Sequence, residues 1–287
     1  MRAKPAWGGA GVYAAALLPC LAAGILREGL PLIVLMTGVS VLTAFLFAKL
    51  NRRPRIPGAE LAGLSFALTL PSDAPLLQAA MSMVFGLIVA REIFGKLERS
   101  FVHPAVLAHV FLALTWPDAL GSAARWLPPD GVVLTPTLES MLFTSAGGAL
   151  GSTSALACLI GAGVLLVSRL ISWRVLAAIP IGVAAGIGIL GHPSAAGPLF
   201  VSSHLLLGGA LFASVFLAAD PPTSPRHRSA QWFHGFLVGF LILLFRVTDP
   251  SSPDGVIPAV LIASVFAPLF DRAAVAGRRG VSGVSHV

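Results

Sequence analysis

Charge is what this sequence has least of. Only 11% of its 287 residues are Asp, Glu, Lys or Arg, against roughly 25% in a soluble domain. A chain of this length has too little polar surface to cover a water-soluble core, which excludes a soluble enzyme. Cysteine is nearly absent as well, with 2 residues, Cys20 and Cys158, each inside an apolar run. Neither a disulfide framework nor a Cys-ligated metal or iron–sulfur centre can be argued from two such positions. No Ser-His-Asp order, phosphate-binding loop or paired carboxylates occur, so no catalytic residue can be named. His103 and His109 stand six apart on different helix faces, with no further ligand at metal spacing, and no metal site is expected there. His192, His204, His227 and His234 are scattered singly and read as loop or interface residues.

What the chain has in abundance is apolar length. Hydrophobic residues make up 56% of it and the mean hydropathy is +0.88, so lipid is its solvent. The net charge of +7 would suggest nucleic acid in a soluble protein. Here the basic residues sit in short loops, where they orient the chain, so nucleic acid is excluded as a partner. At about 20 apolar residues per crossing, spans are expected near 12–26, 30–48, 60–71, 75–94 and 103–116. A second set is expected near 141–167, 174–190, 199–219, 231–246 and 256–270. The fold class is therefore an all-α polytopic membrane protein of about ten transmembrane helices. With the N-terminus inside, nearly every Lys and Arg falls cytoplasmic, and only Arg27, Arg125 and Arg246 fall outside. Both termini are then cytoplasmic, and the first apolar segment, which lacks a small-residue cleavage site, is a span rather than a signal peptide.

The two halves repeat. Ser65–Pro71 (SFALTLP) pairs with Val215–Pro221 (VFLAADP), and Pro104-Ala105-Val106-Leu107 recurs as Pro258-Ala259-Val260-Leu261. Five spans plus five, an odd number per copy, puts the copies in opposite orientations, the inverted-repeat plan of many transporters. The organisation expected is one integral membrane domain over 1–287. It comprises repeat one near 12–116, an outer loop at 117–140, repeat two near 141–270 and a cytoplasmic tail at 271–287. The third and eighth spans each end at a proline and are expected to stop inside the membrane as broken helices. Their free backbone ends then need protein or a ligand.

Several segments in order carry a resemblance: Leu61–Pro75, Val84–Pro117, Gly147–Trp173, His204–Pro225 and Gly235–Asp271. Together they resemble RnfD, a membrane subunit of the Rnf electron transport complex, and its homologue NqrB from the sodium-pumping NADH:quinone reductase. The resemblance implies a membrane subunit in the bacterial inner membrane, part of an oxidoreductase complex and not a stand-alone enzyme. It works beside other membrane and flavoprotein subunits and carries electrons through flavin, linked to Na⁺ or H⁺ translocation. It also implies FMN joined through phosphate to a threonine on the outer face, with a second flavin or riboflavin held noncovalently. The outer loop Pro129–Leu138 (PDGVVLTPTL) resembles the attachment motif, with Thr135 in the better register and Thr137 second. The expected Ser-Gly-Ala is replaced by Val132, Val133 and Leu134, three bulky side chains where a transferase must approach. Further departures fall at Gly95–Pro104, which has lost glycines and asparagines, at Ser152 in place of a glutamate, and at Ala219 in place of a threonine.

Gly151, Ser152, Thr153 and Ser154 could bring backbone N–H and hydroxyl groups to a flavin ring, or else serve close helix packing. Arg246 pairs with Asp249 or Asp254, or meets a flavin phosphate. Asp220 coordinates an ion, relays a proton, or caps a turn with Thr223 and Ser224. Two alternatives to the redox reading stay open: a flavin-free transporter or channel on the same scaffold, and an accessory membrane subunit without chemistry of its own.

Overall fold

The computed structural model describes residues 9–52, 58–94, 102–124, 148–190, 198–206, 208–248 and 255–282. Among these every regular element is helical. The first run comprises α1 (Ala10–Ile25), α2 (Leu30–Leu50), α3 (Ala59–Leu68), α4 (Leu76–Leu87, continued by a π turn at Ile88–Ile93) and α5 (Pro104–Thr115). A 3-10 turn at Leu150–Ser152 then leads into α6 (Ala155–Val167) and α7 (Trp173–Leu190). Next come α8 (Pro198–Leu206) and α9 (Ala210–Phe212, continued by a π turn at Ala213–Ala218). The chain finishes with α10 (Arg228–Thr248) and α11 (Val256–Ser282).

Among the described residues, five helices are long and apolar enough to cross a membrane: Leu30–Leu50, Leu76–Ile93, Trp173–Leu190, Arg228–Thr248 and Val256–Ala276. Their apolar side chains face outward in quantity, with Leu42, Phe45, Ile189 and Phe233 all exposed. That is the surface of a protein solvated by lipid. The protein is an all-helical polytopic membrane protein, as its composition requires. The remaining apolar helices are short. The 10 residues of α3 span only about 15 Å, half of the ~30 Å hydrocarbon core.

The expected interruptions are present, and each has a local cause. α3 begins on Gly58 at φ 98° and α9 begins on Gly209 at φ 75°, both in the left-handed region open to glycine. The expected eighth span at 199–219 is in fact two helices. Gly208 and Gly209, with φ of 65° and 75°, turn the chain twice in the sense that an α-helix cannot follow, separating α8 from α9. Both half-helices end just before a proline, Pro71 and Pro221. α5 starts with Pro104 at its first position, where the missing N–H costs nothing, and Pro258 sits in the first turn of α11. The segment at 271–282, expected as the start of a tail, continues α11 as helix.

The packing repeats along with the order of elements. α4 lies against α2 and α5, and α10 lies correspondingly against α7 and α11. α3 touches α5 as the π turn of α9 touches α11, and the equivalent pairs α1 with α6 and α5 with α11 meet across the halves. The tightest of these contacts is between α7 and α10. A Cβ on Gly182 would strike the Phe236 carbonyl, one on Gly239 the Ile179 carbonyl, and one on Gly235 the Val175 carbonyl. Small residues here let two backbones touch, which is how helices attract one another in lipid without a hydrophobic drive. Gly182→Leu or Gly239→Leu should therefore destabilise the detergent-solubilised protein by about 2 kcal/mol or more through overpacking. Gly188→Ala, whose Cβ meets nothing, should leave the thermal midpoint unmoved in the same scan.

Candidate functional site

The interruptions converge on one cleft. Its walls are Leu68 and Thr69 at the end of α3, Ala149 and Ser152 of the 3-10 turn, Gly208 and Gly209 at the α8–α9 break, Phe212 of α9 and Ile257 of α11. It is a small, partly open niche of about 20 Å³, room for little more than one water. Both halves contribute, because each supplies a helix end that must be closed off. The Leu150 N–H donates to the Leu70 carbonyl at 2.8 Å, pinning the 3-10 turn onto the end of α3. The Thr69 hydroxyl donates to the Phe66 carbonyl at 2.6 Å and also meets Nδ1 of the buried His109 at 3.0 Å.

The four expected flavin-contact residues divide. Gly151 is packed solid: a Cβ there would lie 2.8 Å from the Phe212 ring and 2.9 Å from the Leu68 carbonyl. Its small size serves close packing and leaves no cradle for a ring. Thr153 donates to the Leu150 carbonyl at 3.0 Å, and the Ser154 hydroxyl accepts the Ala157 N–H at 3.2 Å as the N-cap of α6. Ser152, whose hydroxyl donates to the Ala149 carbonyl at 2.8 Å, is the one of the four that lines the cleft. Opposite it, Gly209 has only the Ser152 Cβ within reach of an added Cβ, at 3.9 Å. Gly209 thus has open space beside its Cα where Gly151 has none.

Arg246, in the last turn of α10, is almost fully buried. Its guanidinium donates to the His204 carbonyl at 2.6 Å and to the Gly208 carbonyl at 3.5 Å, with His204 Nδ1 at 3.3 Å. It thereby closes the C-terminal end of α8 at the break, as a cation opposite the negative end of a helix does. Its expected partners Asp249 and Asp254 lie outside the described residues, as do Thr135 and Thr137.

Asp220 stands at the other end of the half-helix, on the order of 12 Å from the cleft by helical rise. It is buried, with 7% exposure. Its main-chain carbonyl, not its carboxylate, accepts the Thr223 and Ser224 N–H groups at 3.1 and 2.9 Å. Turn capping therefore leaves the carboxylate available, and among the described residues it accepts no hydrogen bond. Tyr13 is its electrostatic neighbour, and the Tyr13 hydroxyl donates to the Phe216 carbonyl of the π turn at 2.6 Å.

Two buried groups escape sequence reasoning. Tyr13 carries no signal of its role, and His234 reads as a loop or interface residue. The His234 ring lies between the Ala263 and Ala218 carbonyls, at 3.2 and 3.1 Å, and joins α10, α11 and the π turn. The 3.6-residue rhythm that puts His234 on the inner stripe of α10 with Val238 and Ile242 is the signal that could have found its burial. The π carbonyls that occupy Tyr13 and His234 have no signature in a sequence.

These features define a class: a multi-pass membrane protein with interrupted helices whose ends meet at a small cleft. The chain belongs to the NQR2, RnfD, RnfE family, whose model matches residues 10–279. It is similar to a Na⁺-translocating NADH-quinone reductase subunit (NqrB) of Pseudomonas aeruginosa, 33% identical over 253 residues, covering 79% of this chain and 62% of that protein. The corresponding proteins of Chromohalobacter salexigens and Haemophilus influenzae are each 31% identical over 84% of the chain, covering 64% and 65% of their lengths. The chain thus spans a little under two thirds of the curated relatives it matches.

Replacing Arg246 tests the break directly. Arg246→Ala leaves the carbonyls at the end of α8 exposed to an apolar interior and should cost about 2–4 kcal/mol. Arg246→Lys, a single point donor, should recover part of that loss in a thermal unfolding scan in detergent.

Proposed function

We propose that this chain is the membrane subunit of an ion-translocating redox complex. It would hold a flavin at the cleft between the interrupted helices and assist cation passage at Asp220. The observation that carries the reading is the family match over residues 10–279, whose relatives are named as subunits of a Na⁺-translocating reductase. The cleft supports it by bringing together Ser152, Thr69 and the Gly208–Gly209 backbone, with two hydroxyls that can each still accept a hydrogen bond. A flavin bound there would supply the capacity to take up and pass on electrons singly or in pairs. The protein's part is to exclude water, hold the ring and present hydroxyls to its polar edge. Covalent FMN is proposed at Thr135, with Thr137 as second choice. The partners are other membrane and flavoprotein subunits, in a bacterial inner membrane with both termini cytoplasmic.

Asp220 fits ion handling because a buried carboxylate without a hydrogen bond of its own has coordination to offer. A flavin-free transporter or accessory subunit on the same scaffold is the second reading, favoured by Val132, Val133 and Leu134 before Thr135. Intact-protein mass spectrometry after coexpression with a flavin transferase separates the two. The expected result is an FMN-sized increment, lost in Thr135→Ala and kept in Thr137→Ala. A protein with neither the increment nor any flavin absorbance returns the assignment to the second reading. In the assembled complex, Asp220→Asn should lower cation-stimulated turnover at least tenfold while leaving flavin content unchanged; equal turnover would remove Asp220 from the pathway.

A further inference from the structure

We propose that Cys20 and Cys158 form a dithiol–disulfide pair. In its oxidised state it ties α1 to α6, and in its reduced state it holds the floor of the cleft. The inference does not depend on flavin binding. The two sulfurs lie 3.7 Å apart although 138 residues separate them in sequence. Both side chains are fully enclosed, with exposures of 0% and 1%. The helices that carry them are in close contact: a Cβ on Gly161 would lie 2.5 Å from the Ala16 carbonyl and 2.7 Å from the Phe216 ring. A disulfide bond of about 2.05 Å needs the sulfurs to close by less than 2 Å, within the reach of side-chain rotation on two helices already touching.

The reduced pair is an ordered chain of donors. The Cys158 thiol donates to the Gly151 carbonyl at 3.3 Å, so the Cys20 thiol is left to donate to the Cys158 sulfur. Gly151 is the residue wedged between Phe212 and the Leu68 carbonyl, and it lies within the 3-10 turn that bears Ser152. The Cys158 S–H bond is thus a tether from α6 to the cleft wall. Oxidation removes it. Two S–H bonds break and one S–S bond forms, and two electrons with two protons pass to the oxidant. Because the pair is enclosed by protein on every side, the oxidant must be apolar enough to enter as α1 and α6 part. A quinone meets that requirement and leaves as the hydroquinone.

The test uses the full chain in lipid vesicles, reduced first and then exposed to a short-chain benzoquinone. Remaining thiols are alkylated after unfolding, and the non-reduced digest is read by mass spectrometry. With only 2 cysteines in the chain, the outcome is unambiguous. The expected result is a Cys20 peptide joined to a Cys158 peptide, lighter by two hydrogens than their sum. It should separate on reduction and be absent in Cys20→Ser and Cys158→Ser. Two alkylated thiols, a quinone adduct on one cysteine, or a link between two copies of the chain would each overturn the proposal. Amide exchange over Leu150–Ser152 should speed up at least threefold in the oxidised protein, and in Cys158→Ala without oxidant. Unchanged exchange in both would sever the pair from the cleft.

Discussion

A backbone N–H or carbonyl facing hydrocarbon has no water to turn to, and this protein contains several helix ends placed where that threatens. Several of its buried polar groups answer this need. The end of α3 is closed by the Leu150 N–H on the Leu70 carbonyl and by Thr69 on Phe66. The end of α8 is closed by Arg246 on His204 and Gly208. The π turn after α9, whose widened ladder leaves carbonyls awry, is met by Tyr13 at Phe216 and by His234 at Ala218. Apart from Thr69, each closing group comes from another element of the chain, so the breaks hold the fold together as much as they interrupt it.

The same constraint governs packing. Helices in lipid gain nothing by hiding apolar area from one another, so their contacts depend on proximity. Glycine provides it between α7 and α10 and again where Gly63 meets Ser40 and the Met36 carbonyl. The Ser40 hydroxyl donates to the Ala59 carbonyl at 2.8 Å, which binds the first turn of α3 to α2. A half-helix of ten residues would not persist alone. Its stability is borrowed from a full-length neighbour, and the equivalent half-helix α9 rests likewise on α11 through its π turn.

How much of this can be read from the sequence depends on whether a signal is periodic or pairwise. Apolar length and the paired prolines at Pro71 and Pro221 are local signals, and they place the broken helices correctly. The Gly208–Gly209 break is equally local, yet it is concealed inside an apolar run long enough to pass as one span. Pairwise facts leave no trace. Nothing near Arg246 announces that carbonyls 38 and 42 residues away are among its partners. Gly151 illustrates the same limit, since a glycine that admits a ligand and a glycine that admits Phe212 look alike until the ring is seen against it.

Once structural duties are subtracted, few polar groups remain for function, and they sit at opposite ends of one element. Ser152 with the Gly208–Gly209 backbone marks the N-terminal end of α9, and the Asp220 carboxylate marks the exit from its π turn. Between them runs a short rod with the rings of Phe212 and Phe216 packed along it, tilted by 35° with centroids 5.0 Å apart. Tyr13 grips the rod near one end and Gly151 is pressed against it near the other. Tyr13 belongs to α1 and Gly151 leads into α6, the two helices joined by the cysteine contact. The rod is thus held by direct contacts from both helices, and its π turn is the section whose carbonyls most need a donor from outside, which Tyr13 and His234 supply.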